Sequence, residues 1–205
     1  MTGPGPTAGL VHGMGKELVE PDWAPLTADE VGAVLALYDL PAGHDLPAGG
    51  TGHATVPRTG TAVAWSSPRP MSAAGLVNHG TGTVFVKRHH VRVRSAAQLA
   101  TEHAFATHLR ASGLAVPRVK RTTAGRTVVA EGDFVYEVHE VAPGIDLYRD
   151  AMSWTPYLSP GHARAAGAAL ARLHQAATPG GTQPANPLRY TLLVVTRPIV
   201  GKGDP

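Results

Sequence analysis

Hydrophobic and polar positions change rhythm three times along this chain. Thr27-Ala28-Asp29-Glu30 forms a capping box, with Val31, Val34, Leu35 and Tyr38 at helical spacing behind it and Pro41-Ala42-Gly43 as a stop. From His53 to Glu140 the rhythm turns to short β-rich runs, which predict strands over 53–57, 61–66, 73–78, 83–89, 116–122, 126–131 and 133–141. Gly80-Thr81-Gly82 and Ala124-Gly125 supply turns between them. One helix interrupts the series, opened by the capping box Ser95-Ala96-Ala97-Gln98 and stopped at Ser112-Gly113. Ser159-Pro160 then starts a further helix, with Ala166, Leu170, Leu173 and Ala177 on one side.

A strand series broken by a single helix predicts an α+β fold, an antiparallel sheet with one helix packed on it. Around it the chain divides into a Gly/Pro/Thr-rich leader over 1–25, a helix and loop over 26–52, and the sheet unit over 53–142. A connector anchored by Trp154 and Tyr157, with the helix after it, occupies 143–177. Residues 178–205 have no helical period, and their one β-like run is Tyr190–Val195.

Composition narrows the chemistry. The 205 residues suffice for a real core, and 24 Gly with 18 Pro favour turns and loops. Cysteine is absent, which excludes disulfides, thiolate metal sites and a cysteine nucleophile. No apolar run reaches the roughly 20 residues of a membrane span, and the start has no signal-peptide pattern, so a cytoplasmic protein without a membrane partner is expected. The overall charge of +3 conceals a net −4 over 1–86, +8 over 87–126 and −1 over 127–205. The basic middle suggests an anionic partner such as a phosphate, although a solvated face would look the same.

Two residues in that middle stand out. Alternation in Val84-Phe85-Val86-Lys87-Arg88 puts Phe85 and Lys87 on one strand face. Glu102 shares a helix stripe with Leu99, Phe105, Ala106 and Leu109, where an unpaired carboxylate would be costly, so a cation should meet it. Lys87 is the natural candidate. Such a pair can hold an ammonium against nucleotide phosphates, or be an ordinary salt bridge at the edge of the core.

Lys87 and Glu102 stand in a longer series. Gly113-Leu114-Ala115-Val116-Pro117-Arg118-Val119 follows them, then Tyr136-Glu137-Val138-His139-Glu140-Val141-Ala142-Pro143-Gly144, then Leu170-Ala171-Arg172-Leu173-His174-Gln175-Ala176. In this order the motifs resemble the aminoglycoside phosphotransferase and choline kinase group, the "phosphotransferase enzyme family" of protein-kinase-like fold, over about residues 53–177. The resemblance implies a kinase-like small lobe, a hinge and the first large-lobe helix, with the rest of the large lobe missing. It implies that Lys87 contacts the α- and β-phosphates of ATP, that Glu102 holds Lys87, and that the backbone of Glu140, Val141 and Ala142 forms the adenine-binding hinge. Ser72, in the loop 67–75, would donate to the phosphates.

Kinase-like catalysis also needs a catalytic-loop Asp, an Asn some residues later, and a second Asp for Mg²⁺. The family places these after the Leu-His helix, whereas here Asp204 is the single carboxylate beyond Asp150. The expectation is therefore an ATP-dependent small-molecule kinase present as its nucleotide-binding part, with no catalytic residue, with Mg²⁺ ligands in the missing lobe and with an unidentified acceptor. The alternative is an inactive, pseudokinase-like module that binds a nucleotide or a partner. Residues 178–205 fit the family poorly, as after a frameshift or an early stop. Among the 11 histidines, His103 and His108 lie five apart on a helix and diverge by about 140°, so no metal site is expected from that pair. Lys87–Arg94 carries no nucleic-acid motif, and none is expected to bind.

Overall fold

Thr27 caps the first helix from both directions: its Oγ1 accepts from the Glu30 N–H at 3.2 Å, and its own N–H donates to Glu30 Oε2 at 3.3 Å. That helix, α1 (Ala28–Leu35), turns Val31, Val34 and Leu35 inward. The computed structural model describes residues 11–12, 17–38, 40, 60–67, 72–80, 82–145 and 155–177. Before α1 lie two short paired strands, β1 (Val11–His12) and β2 (Leu18–Val19).

The body of the protein is a five-stranded antiparallel sheet. Its strands are β3 (Thr61–Ser66), β4 (Ala73–His79), β5 (Gly82–His90), β6 (Val128–Glu131) and β7 (Phe134–Glu140), in the order β3-β4-β5-β7-β6. The last strand in sequence thus inserts beside β5, and Lys87 lies directly across from Glu137. Gly132, at φ +54°, allows the tight turn between β6 and β7 that makes this insertion possible. At the other edge β3 bulges between Val63 and Trp65. A side chain at Gly75 would put its Cβ 2.5 Å from the Trp65 carbonyl oxygen, so this close approach requires glycine.

Period-two alternation separates two sheet faces. On one, Val77, Val84, Val86, Val129, Tyr136 and Val138 pack against α1 together with Leu26 and Tyr38. Arg88 reaches across that layer to Glu30 Oε1 at 2.6 Å, Tyr136 donates its hydroxyl to the same oxygen at 2.7 Å, and Arg88 also donates to the Ala24 carbonyl. On the opposite face α2 (Ala96–Ala111) lays Leu99 over Val128 and Val135. Phe105 and Leu109, farther along α2, bury Val116 and Leu173, which docks the helix α3 (Pro160–Ala176).

The α+β architecture matches the expectation, with two differences. Residues 116–122 form no strand. Val119 and Thr122 make isolated bridges to His139 and Tyr38, and Pro117 removes a ladder donor from that stretch. Tyr157, expected as an anchor, is exposed. The expected strand over 53–57, Trp154 and the run 190–195 lie outside the described residues.

Candidate functional site

Lys87 leaves the α2-facing side of β5 with a fifth of its side chain exposed, and its Nζ lies 3.5 Å from Glu137 Oε1. Glu137 is buried at the middle of β7, yet it does not rely on Lys87 alone. His89 Nε2 donates to Oε1 at 3.0 Å, while His103 Nε2 and His139 Nε2 donate to Oε2 at 2.6 and 2.9 Å. Three elements converge here, because β5 carries Lys87 and His89, β7 carries Glu137 and His139, and α2 carries His103. Burial, the largest influence, works to raise the Glu137 carboxyl. The Lys87 charge and the donors from His103, His139 and His89 outweigh it and hold that carboxyl well below its ordinary value. An ionised carboxylate is therefore kept inside the protein. Burial pushes the His139 imidazole down, against the opposing pull of Glu137.

Glu102 occupies the half-buried position on α2 that its spacing suggested, and a cation does meet it. That cation is Arg94, which donates through Nη1 from the loop between β5 and α2. The carboxylate at Lys87 is Glu137 instead. The physical reason is strand order: insertion of β7 beside β5 puts residue 137 in register with residue 87, a pairing that local spacing does not reveal.

The remaining expected residues surround this centre. Ser72 is half-buried at the foot of β4, where the Ser67 N–H donates to the Ala74 carbonyl at 2.7 Å and closes the stem of the loop. Residues 68–71 of that loop lie outside the described residues. Glu140 ends β7, and its N–H donates to the Arg118 carbonyl at 2.9 Å. Its carboxylate accepts from Lys120 Nζ at 3.0 Å. Burial tends to raise the Glu140 carboxyl, but the Lys120 hydrogen bond and charge lower it overall. Val141 and Ala142 continue from the strand, half-buried.

Sequence reasoning missed Glu137, His89, His103 and His139 as a group. In the sequence Glu137 stands out only within the Tyr136–Gly144 motif, and helical spacing relates His103 to His108 but not to His89 or His139. The available signal was parity: Lys87 and His89 share one strand face, and Glu137 and His139 share another.

Among solved structures, the amicoumacin kinase hAmiN in complex with AMP-PNP, Ca²⁺ and Ami is similar at 21% identity and a TM-score of 0.48. The alignment covers 76% of this chain and 41% of that one, so this chain spans less than half of the kinase's length. No curated protein matches the sequence. The family model of the phosphotransferase enzyme family (APH) matches residues 74–196, starting later and running further than the 53–177 of the motif series. Since that match takes in β5 with Lys87, α2, β7 and α3, the chain belongs to the phosphotransferase enzyme family.

Proposed function

We propose that this chain is the nucleotide-binding part of an ATP-dependent small-molecule kinase, and that it does not transfer a phosphoryl group by itself. The observation that carries the reading is the placement of Lys87. Its ammonium is oriented by a buried, ionised Glu137 and remains partly open to solvent. Three residue steps lead from Glu137 to Glu140 along β7, about 10 Å of strand, a distance that a nucleoside triphosphate bridges between its base and its phosphates. A purine at the backbone of Glu140, Val141 and Ala142 would thus direct its phosphates toward Lys87, with Ser72 near the mouth of the covering loop. Glu102, held by Arg94, shapes the helix edge of this site and does not ion-pair with Lys87.

The residues at hand do not fit a kinase Mg²⁺ site. Magnesium takes oxygen ligands, whereas the carboxylate beside Lys87 is surrounded by three imidazoles. Asp133 sits in the β6–β7 turn, and only Asp204 follows Asp150. On this proposal the described residues do not supply the catalytic base or the Mg²⁺ ligands. No helix among the described residues is long and apolar enough to cross a membrane.

Isothermal titration with Mg-ATP tests the reading. The full chain should bind nucleotide, Lys87→Ala should lose that binding while remaining folded by circular dichroism, and neither protein should phosphorylate an acceptor. Equal binding by the two proteins refutes the assignment of Lys87, and robust phosphoryl transfer by the 205-residue chain refutes the proposed division of labour.

A further inference from the structure

The imidazoles around Glu137 exceed what holding Lys87 requires. One neighbouring carboxylate suffices to orient an ammonium, and burying His103 at 3% exposure gains little that a leucine would not supply. His103 Nδ1 has no hydrogen-bond partner, so the contact of its Nε2 with Glu137 is what sets the ring among polar groups. One ligand atom from each of His103, Glu137 and His139 falls within 4.8 Å of the other two. The rings of His103 and His139 stand edge to face, 5.7 Å apart.

We propose that His103 Nε2, Glu137 Oε2 and His139 Nε2 form a binding site for a divalent transition metal of the Zn²⁺ class. Two imidazoles and one carboxylate are a set that zinc accepts with a further position open, and imidazole selects such ions over Mg²⁺ and Ca²⁺. Tetrahedral ligation with bonds near 2.0–2.1 Å places ligand atoms about 3.3 Å apart. The present contacts of 2.6 and 2.9 Å need to open by about 0.4–0.7 Å, and the two imidazole nitrogens, within 4.8 Å of each other, need only a small ring adjustment to reach it. His139 has 16% of its side chain exposed and gives the cluster its outlet. The division of labour on the carboxylate suits this use, because Lys87 and His89 engage Oε1 while the two proposed ligands engage Oε2. His89 is then the positioning residue that fixes the carboxylate. On metal binding each ligating ring carries its proton on Nδ1 instead of Nε2, and no redox step is involved. The inference does not depend on nucleotide binding.

The test uses the full chain, free of any histidine tag and stripped with a chelator, titrated with Zn²⁺ by calorimetry and with Co²⁺ by visible absorption. One ion per chain should bind, with the intense d–d bands of low-coordinate cobalt. His139→Ala and His103→Asn should abolish this stoichiometric binding. His89→Asn should weaken it by about 10–100-fold, and His79→Asn, which lies outside the cluster, should leave it unchanged. Where a buried substitution prevents folding, ¹⁵N imidazole NMR of the unsubstituted chain decides: Zn²⁺ must move two Nε2 resonances from the N–H to the metal-bound range. Retention of both Nε2–H signals, unchanged binding in His139→Ala, or no stoichiometric binding overturns the proposal.

Discussion

Which carboxylate holds Lys87 is a question that mutagenesis can answer with numbers. The family resemblance assigns that role to Glu102, whereas Lys87 Nζ lies 3.5 Å from Glu137 and Glu102 is engaged by Arg94. At 3.5 Å two unit charges attract by about 5 kcal/mol at an effective dielectric of 20, and by about 1 kcal/mol in bulk water. The Lys87 side chain is 20% exposed and that of Glu137 only 2%, which places the pair nearer the first limit. Desolvation of the carboxylate takes back part of the attraction, and its three imidazole donors already share its charge. A net coupling of about 1–3 kcal/mol is therefore expected between Lys87→Met and Glu137→Gln in a double-mutant cycle. The cycle of Lys87→Met with Glu102→Gln should close to within about 0.5 kcal/mol. Urea denaturation followed by circular dichroism supplies all six free energies, with constant m-values as the check on two-state behaviour. A coupling to Glu102 larger than that to Glu137 would refute both the observed pairing and the strand-order explanation for it.

Two further outcomes test the frame that carries the site. Glu30→Ala removes the partner of the buried Arg88, the acceptor of the Tyr136 hydroxyl and half of a capping box, and should cost about 3–5 kcal/mol. Asp29→Ala, exposed in the same first turn, should cost under about 1 kcal/mol, and equal losses in chemical denaturation contradict the network. Gly75→Ala forces its new methyl onto the Trp65 carbonyl and should destabilise by about 1–3 kcal/mol. Gly167→Ala, inside α3 with nothing within 4 Å, should stabilise by about 0.5–1 kcal/mol, so a higher thermal midpoint for Gly75→Ala than for Gly167→Ala rejects the close-approach argument.

Legibility followed the range of the interactions. Both capping boxes and the Ser159-Pro160 helix start were readable, because a cap involves residues three apart and its side-chain chemistry is local. The strands from Thr61 to Glu140 announced themselves by alternation, except 116–122. That stretch has β-like residues but meets β7 only through an isolated bridge from Val119 to His139, beyond the residues 134–137 that pair with β6. Strand order itself is a long-range property that no local pattern encodes. The burial of Glu102 and its need for a cation could be anticipated, whereas the identity of that cation could not.

The basic segment shows how that order redistributes chemistry. Read as a sum, +8 over residues 87–126 suggests a broad attraction for anions, yet the structure commits most of those charges internally. Arg88 is spent on Glu30, Arg94 on Glu102, and Arg118 and Lys120 on Glu140. Arg110 donates to the Val116 carbonyl and Arg121 to that of Gly125. Two of these partners, Glu30 and Glu140, are acids from outside the segment, so part of the charge imbalance along the chain is an intramolecular complementarity between an acidic first helix, an acidic β7 and a basic middle. Lys87 differs from the rest in one respect. Its partner is a carboxylate that also accepts hydrogen bonds from three imidazoles, so Glu137 keeps those donors if the ammonium turns toward a phosphate. Two of those imidazoles, His103 and His139, are the proposed metal ligands. Under the proposed function the anionic-partner reading thus rests chiefly on Lys87, whose partner Glu137 lies outside the basic segment.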